Sequence, residues 1–221
     1  MSMINWQMTG GEIEAESFRR IDAEAENTNF SQPEWRVVRR LIHTTGDFSI
    51  AEDVLFENNP IDAGLAAVRQ GAQLYCDSNM MVAGISLSRL RQVNPSYTQD
   101  HVHCFVADDD VGERARSEGI TRSQAGVEKA ESILDNGIVL IGNAPMALAA
   151  VIRMVRENRV RPRMIIAMPV GFVHVVEAKE MLEGIDVPHI RVQGYRGGTT
   201  LAVAALHGML ETQTTSGECA G

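Results

Sequence analysis

The feature that most constrains the fold of this chain is an alternation, after residue 70, of short apolar runs with amphipathic helical stretches. Each apolar run is bounded by Gly, Pro or Asp, which is typical of buried strands. This alternation predicts an α/β fold, with an open, mostly parallel sheet flanked by helices on both faces. The predicted strands cover residues 73–77, 101–106, 137–141, 164–168 and 189–192, and the clearest helices cover 145–157, 173–183 and 199–210.

The first 70 residues lack the alternation and predict an N-terminal helical extension. Thr9 and Glu12 form a capping-box pattern for a helix that runs to about residue 26. Ser31 and Glu34 repeat that pattern for a second helix, and its end is predicted at Gly46 because glycine commonly terminates helices.

A third helix is predicted over residues 60–70. The chain has 221 residues, of which 44% are hydrophobic and 22% charged, as in ordinary globular proteins. We therefore expect residues 1–221 to form a single domain. Its small, polar last segment, residues 211–221, is predicted to be a flexible tail.

The charge balance and the cysteine content narrow the classes of partner. Twenty basic and 29 acidic residues give a net charge of −9, which argues against a nucleic-acid partner. Of the basic residues 18 are arginine, a side chain suited to binding carboxylates and phosphates.

No apolar run approaches the length of a membrane span, no leader segment is visible, and the three cysteines are widely spaced. We expect a cytoplasmic protein with no membrane partner.

Several familiar catalytic motifs are missing from the sequence. It has no GxGxxG, no GxxxxGK[ST], no HExxH and no GxSxG, which argues against nucleotide-cofactor, P-loop, zincin and hydrolase-elbow functions. His101 and His103 form a possible metal pair, but no third ligand follows at useful spacing, so we predict no metal site. Asp108, Asp109 and Asp110 are interpreted as a solvated acidic turn that caps a helix from Val111.

Three glycine-rich connections follow predicted strands, at residues 142–145, 169–172 and 194–198. In an open parallel sheet such loops meet at the carboxyl ends of the strands, where ligands bind. Glycine permits close approach of the backbone, and free helix N–H groups attract anions. The same loops would also serve simply as turns, so their presence leaves the ligand unidentified. The candidate binding residues here are Asn143, Gly171, Arg196, Gly197 and Gly198.

His43 is the single residue that points most directly to catalysis. It lies near the predicted end of the second helix, where the helix dipole favours an imidazolium ion, while two neighbouring arginines oppose it. A histidine in such a balance is a candidate general acid. The alternative is a packed or surface histidine that only caps the helix.

These motifs, taken in order, resemble the precorrin-8X methylmutase (precorrin isomerase) family over residues 10 to 210. The resemblance rests on many modest matches whose joint order is specific. They are Glu16–Phe18, Arg39–Asp47, Cys76–Asp77 with Met81 and Gly84–Ile85, Thr121–Ser123, Ile141–Pro145, Pro169–Val173 and Arg196–Gly198 before an alanine-rich helix. Departures from the family pattern are Met146 for a usual Thr, Ala178 for a Ser and His207 for an Asn.

The resemblance implies an isomerase of cobalamin (vitamin B12) biosynthesis that moves a methyl group from C11 to C12 of precorrin-8X or cobalt-precorrin-8, giving hydrogenobyrinate or cobyrinate. It implies that His43 protonates the substrate, with Ser17 and Arg122 in contact with it, and that no separate cofactor is used, since any cobalt belongs to the substrate. It further implies a homodimer with the site near the subunit interface. The other residues of the matching motifs predicted to bind the corrinoid polycarboxylate are Arg40, Thr121 and Ser123.

Two other functions remain open at this point. One is a corrinoid carrier that binds the product without turnover, and the other is an unrelated α/β enzyme whose loops merely mimic the family.

Overall fold

A computed structural model describes residues 4–25 and 29–213 of the chain. In this part of the chain a six-stranded sheet has the strand order β1-β6-β5-β4-β2-β3. All neighbouring strands are parallel except β1, which pairs antiparallel with β6. The predicted open, mostly parallel sheet is therefore confirmed. The strands are β1 (Val54–Glu57), β2 (Leu74–Cys76), β3 (Val102–His103), β4 (Ile138–Ile141), β5 (Met164–Ala167) and β6 (His189–Val192).

Helices cover both faces of the sheet, as predicted. None of those in the described ranges is long and apolar enough to span a membrane. A short 3₁₀ turn, Gln99–His101, precedes β3. The helices are α1 (Gly10–Glu24), α2 (Gln32–Thr45), α3 (Ile50–Asp53), α4 (Pro60–Arg69), α5 (Asn79–Gly84), α6 (Leu87–Val93), α7 (Asp109–Glu118), α8 (Arg122–Lys129), α9 (Glu131–Leu134), α10 (Pro145–Arg156), α11 (Val175–Glu180) and α12 (Thr199–Glu211).

The central strand β4 shows how the sequence builds two cores. Its four residues are all buried, because strand side chains alternate between faces and both faces are covered. Ile138 and Leu140 join the core beneath the N-terminal helices and α12. Val139 and Ile141 join the core beneath α8 to α11. The continuous apolar run in the sequence is thus the expected pattern of a strand between two layers.

The first two helices begin where the sequence predicts, and the second also ends there. The backbone N–H of Thr9 donates to the Glu12 carboxylate (2.7 Å), and that of Ser31 donates to the Glu34 carboxylate (2.8 Å). Gly46 ends α2 with φ +65°, a left-handed conformation that glycine adopts without strain. α2 therefore presents His43 in its last turn.

Some predicted boundaries are wrong. β1 was not predicted, β3 is confined to two residues of the predicted 101–106, and α11 is shorter than the predicted 173–183. α7 begins at Asp109 instead of Val111. The α12 helix continues one residue past 210, and residues 212–213 form a turn. The predicted end of the first helix at 26, and the tail beyond 213, lie outside the described residues.

Candidate active site

The catalytic candidate His43 is paired with Ser17 across the two N-terminal helices. The Oγ of Ser17 lies 2.7 Å from the Nδ1 of His43. The next residue on α1, Phe18, places its ring edge-on to the imidazole, with centroids 5.3 Å apart and planes inclined by 68°. The imidazole is exposed at the end of α2. Among the described residues no hydrogen bond engages its Nε2, so that nitrogen is available to a ligand.

This pairing suits proton transfer because a hydroxyl can either donate or accept. While His43 is an imidazolium, its Nδ1–H donates to Ser17, and Nε2–H is the acid. In the neutral ring Ser17 can accept from a protonated Nδ1 or donate to a bare one. The ring orientation is therefore kept through a cycle of proton loss and gain at Nε2.

Behind the pair, Phe18 is covered by two guanidinium groups. Those of Arg39 and Arg40 lie 4.4 and 5.0 Å from its ring centroid, a cation–π arrangement. Arg40 is buried, and its guanidinium forms ion pairs with Glu14 and Glu211. The predicted contact of Arg40 with substrate stays a prediction, and its visible role is to join α1, α2 and α12.

A cavity of about 300 Å³ lies between α2, α5 and α12, beside the helix that carries His43. Its wall includes His207, one of the departures from the family pattern. The Nε2 of His207 accepts the backbone N–H of Ser86 (3.0 Å), which requires an unprotonated nitrogen. Burial, together with nearby arginines, lowers the pKa of His207 to about 4, so the ring is neutral at pH 7. The cavity is lined by Arg40, Thr44, Met80, Gly84, Thr199, Thr200, Val203, Ala204 and His207.

The loop after β4 is held from below by a buried carboxylate. Asp77, at the end of β2, is 1% exposed and accepts the backbone N–H groups of Gly142 (3.1 Å), Asn143 (2.9 Å) and Ala144 (2.7 Å). Burial raises the pKa of Asp77, and the three N–H groups act in the opposite direction. The predicted binding residue Asn143 thus stands exposed on a loop with a fixed backbone.

The loop after β6 lies against the loop after β5. The N–H of Gly198 donates to the Met168 carbonyl (2.8 Å), and the N–H of Gly171 donates to the Tyr195 carbonyl (3.3 Å). A Cβ on Gly197 would lie 2.3 Å from the carbonyl oxygen of Met168, so only glycine fits there. Three predicted residues, Gly171, Gly197 and Gly198, are therefore adjacent at the carboxyl edge of the sheet.

Arg196 joins this loop to the segment that follows α2. Its guanidinium donates to the Ser49 hydroxyl (3.0 Å), to the Asp53 carboxylate (3.1 Å) and to the Asp47 carboxylate. Asp47 is four residues beyond His43. The segment that directly follows the histidine helix is therefore in contact with the glycine loop.

Thr121, Arg122 and Ser123 lie apart from this group, at the start of α8. Thr121 Oγ1 accepts the N–H of Gln124 (3.1 Å) and is 3.0 Å from the Ser123 hydroxyl. The exposed Arg122 donates to the carbonyl of Asp108 (3.3 Å). The structure therefore places these three predicted residues together, but none of these bonds joins them to Ser17 or His43.

The possible metal ligands His101 and His103 form hydrogen bonds to other side chains. His101 bonds to Thr98, and His103 Nε2 is 2.7 Å from the Gln73 side-chain oxygen. The described residues contain no cluster of three or more His, Cys, Asp or Glu side chains that could hold a metal ion. The acidic turn does begin a helix, with Asp108 as the N-cap residue of α7 and Asp109 and Asp110 in its first turn, although the Asp108 side chain makes no capping hydrogen bond. The carboxylates of Asp108 and Asp110 instead bind the ammonium group of Lys129 at 2.7 Å.

Exposed apolar side chains border the glycine loops. Phe172 is 85% exposed and Val173 69%. The rings of Phe172 and Tyr195 lie 5.3 Å apart, so the loops after β5 and β6 present one aromatic surface. Large apolar groups of this kind at a surface mark a ligand or a protein contact.

The comparisons with known proteins agree with the motifs. The family model described as precorrin-8X methylmutase (CbiC) matches residues 12–212. The cobalt-precorrin-8 methylmutase of Leptospira interrogans is 36% identical over 217 residues, which are 95% of this chain and 96% of that protein. The cobalt-precorrin-8 methylmutase of Methanocaldococcus jannaschii is 40% identical over 181 residues, which are 82% of this chain and 80% of that protein.

The fold agrees as well. The crystal structure of precorrin-8x methyl mutase from Thermus thermophilus superposes with a TM-score of 0.83 at 40% identity, covering 94% of this chain and 98% of that one. The match to the family model, the near full-length relatives and the shared fold confirm the resemblance carried by the motifs. This chain belongs to the precorrin-8X methylmutase family.

Proposed function

We propose that the chain moves the methyl group at C11 of precorrin-8X or cobalt-precorrin-8 to C12, a step of cobalamin biosynthesis that gives hydrogenobyrinate or cobyrinate. As a methylmutase it is an isomerase, an intramolecular methyl transferase. The observation that carries the proposal is the Ser17–His43 hydrogen bond of 2.7 Å at the exposed end of α2. It holds an imidazole whose Nε2 makes no hydrogen bond among the described residues, four residues before Asp47, which binds Arg196 of the loop after β6.

The proposed reaction needs one acid, and its substrate and product contain the same atoms. The Nε2–H of His43 protonates the conjugated macrocycle, which draws electron density toward the protonated position. The methyl group then migrates with its bonding electron pair from C11 to C12, and the macrocycle returns one proton. Ser17 keeps Nδ1 hydrogen-bonded throughout. Because nothing is oxidised or reduced, we propose that no separate cofactor takes part.

Substrate binding is proposed to use separated points along the carboxyl edge of the sheet. A macrocycle with carboxylates around its circumference is large enough to contact several loops at once. Arg122 is the proposed partner of one carboxylate, because it is exposed and, within the described residues, its guanidinium donates only to the carbonyl of Asp108. The proposed rim is completed by Arg40, Thr121, Ser123, Asn143, Gly171, Arg196, Gly197 and Gly198.

We also propose a homodimer with the site near the subunit interface. The exposed apolar side chains Val170, Phe172, Val173 and Tyr195 support this arrangement. They border the glycine loops, so a second subunit that covers them would also enclose the site. Excluding water around the acid would strengthen its electrostatic interaction with the substrate.

The test is to mix the protein with each form of the substrate, metal-free and cobalt-containing, and to record absorption over time. We expect substoichiometric protein to convert at least one yellow precursor fully into the extended corrin chromophore. A change limited to one equivalent of protein would indicate a carrier, and no change with either form would contradict the proposal. The form with the larger kcat/KM identifies the natural substrate.

A further inference from the structure

Lys179 on α11 is a buried lysine whose ammonium group binds two carbonyls of the loop after β6. Only 2% of the residue is exposed. Its Nζ donates to the carbonyl oxygens of Gly194 (2.8 Å) and Arg196 (2.6 Å). In the part of the chain that the structure describes, no carboxylate oxygen lies within the 4.0 Å of an ion pair with this Nζ. The hydrogen bonds to the loop are therefore its main contacts.

A buried ammonium group without a paired carboxylate is unfavourable for folding. Burial lowers the pKa of Lys179 to about 8, with Asp53 acting to raise it and Arg191 acting to lower it. An apolar side chain of similar length would avoid this penalty. Packing alone therefore does not account for a lysine at this position. Its hydrogen bonds to the carbonyls of Gly194 and Arg196 do.

The two carbonyls belong to the loop that carries Arg196. They are two residues apart, so one ammonium group closes a ring around the backbone of Tyr195. The Arg196 side chain leaves this ring to bind Asp47 and Asp53, next to the end of the histidine helix. Lys179 thus connects α11, through the loop backbone, to the segment that follows His43.

We propose that Lys179 is a positioning residue, which holds the Gly194–Gly198 loop in the conformation that binds substrate. The inference rests on the proposed function for its effect on catalysis. Lys179 is 2% exposed and bonded to the loop backbone, so its effect on substrate passes through the loop. Since the Ser17–His43 pair lies on other helices, loss of the ammonium group affects binding more than proton transfer.

The test compares Lys179→Met with Arg159→Met. Both changes replace a cation with methionine, but Arg159 forms an exposed ion pair with Glu131 in the connection before β5. For Lys179→Met we expect KM to rise roughly tenfold, because a loosened loop would lose about one charge-assisted contact with the substrate. The value of kcat should change by less than about threefold. Arg159→Met should leave both constants unchanged.

Hydrogen exchange supplies the second readout. In Lys179→Met the amide of Gly198, which donates to Met168, should exchange faster than in the native protein, while the amides of β4 and β5 keep their protection. If Lys179→Met does not fold, Lys179→Gln takes its place, because a glutamine retains a donor but is too short to reach both carbonyls.

Native KM together with native exchange at Gly198 would overturn the inference. A fall in kcat at unchanged KM would overturn it too, because the loop would then act in the chemical step. If the native protein turns over neither precursor, the proposed function fails. The exchange at Gly198 alone then decides whether Lys179 holds the loop.

Discussion

At the scale of single residues, the chemistry depends on which nitrogen of His43 stays free. Ser17 occupies Nδ1, and Phe18 packs edge-on against the ring, so the imidazole has one accessible nitrogen and a fixed plane. A general acid is effective only when its proton points at the reacting group. The Ser17 hydroxyl and the Phe18 ring therefore orient the imidazole of His43.

His43→Asn should lower kcat by about 10²–10⁴-fold, the usual contribution of a positioned acid, and leave substrate affinity within about threefold. Ser17→Ala should lower kcat less, by roughly tenfold, because the acid remains but loses its orientation. The kcat values and the substrate dissociation constants of the two purified variants check these predictions. His101→Asn, outside the proposed site, is the control. A near-native rate for a folded His43→Asn protein would remove His43 from the mechanism.

Ser17 and His43 were both predicted from the sequence, His43 from its place near a helix end and Ser17 by resemblance to a family, but their hydrogen bond was not. It depends on how α1 packs against α2, which no local pattern specifies. The ion pairs of Arg40 with Glu14 and Glu211 could not be predicted either, since the three residues are far apart along the chain. Nothing in the sequence indicated that the amine of Lys179 binds carbonyls of a distant loop.

At the scale of elements, the site is a set of loops whose backbones touch. The sequence predicted which connections these are, because glycine and proline clusters follow apolar runs. It did not predict β1, because Val54–Glu57 is short and follows the acidic end of α3. Its pairing with β6 is a tertiary contact that overrides weak local preference. The predicted strand 101–106 was too long, because β3 is an edge strand that pairs with β2 only at Val102 and His103.

Gly197→Ala should destabilise the protein by about 1–3 kcal/mol, because the new methyl group would meet the carbonyl oxygens of Met168 and Pro169. Gly11→Ala is the matched control. It adds the same methyl group to helix α1, where nothing lies within 4 Å, and should be neutral or stabilising by up to about 1 kcal/mol. Urea unfolding measures both. Equal free energies of unfolding for the two variants would contradict the close packing of these loops.

At the scale of the whole molecule, the described surface exposes large apolar side chains at several places. A first set, Phe172, Val173 and Tyr195, lies beside the proposed site, a second, Ile4 and Trp6, lies near the N-terminus, and Ile13, Phe48 and Met80 are exposed as well. The proposed homodimer uses the first. Composition does not distinguish them, since both are a few apolar residues among polar neighbours. The distinction rests on the position of the first group next to the glycine loops.

Sedimentation velocity should give twice the chain mass of 24.2 kDa for the native protein. Phe172→Glu should shift the species toward monomer, because a buried carboxylate without a partner is costly at an interface. Trp6→Glu introduces the same charge at an equally exposed site and should leave the dimer intact. Dissociation by Trp6→Glu but not by Phe172→Glu would place the interface elsewhere.

The packing of α12 against α2 has a consequence for synthesis. Gly208 of α12 lies against the backbone of Val37, and Glu211 accepts hydrogen bonds from Arg36 and Arg40. The helix that carries the histidine is made first, and the chain must be extended through the whole sheet before α12 exists. Until then only α1 and α3 can cover α2, and the part of its apolar side that α12 buries stays exposed on the growing polypeptide. A complete candidate site can therefore form only once α12 has docked on α2.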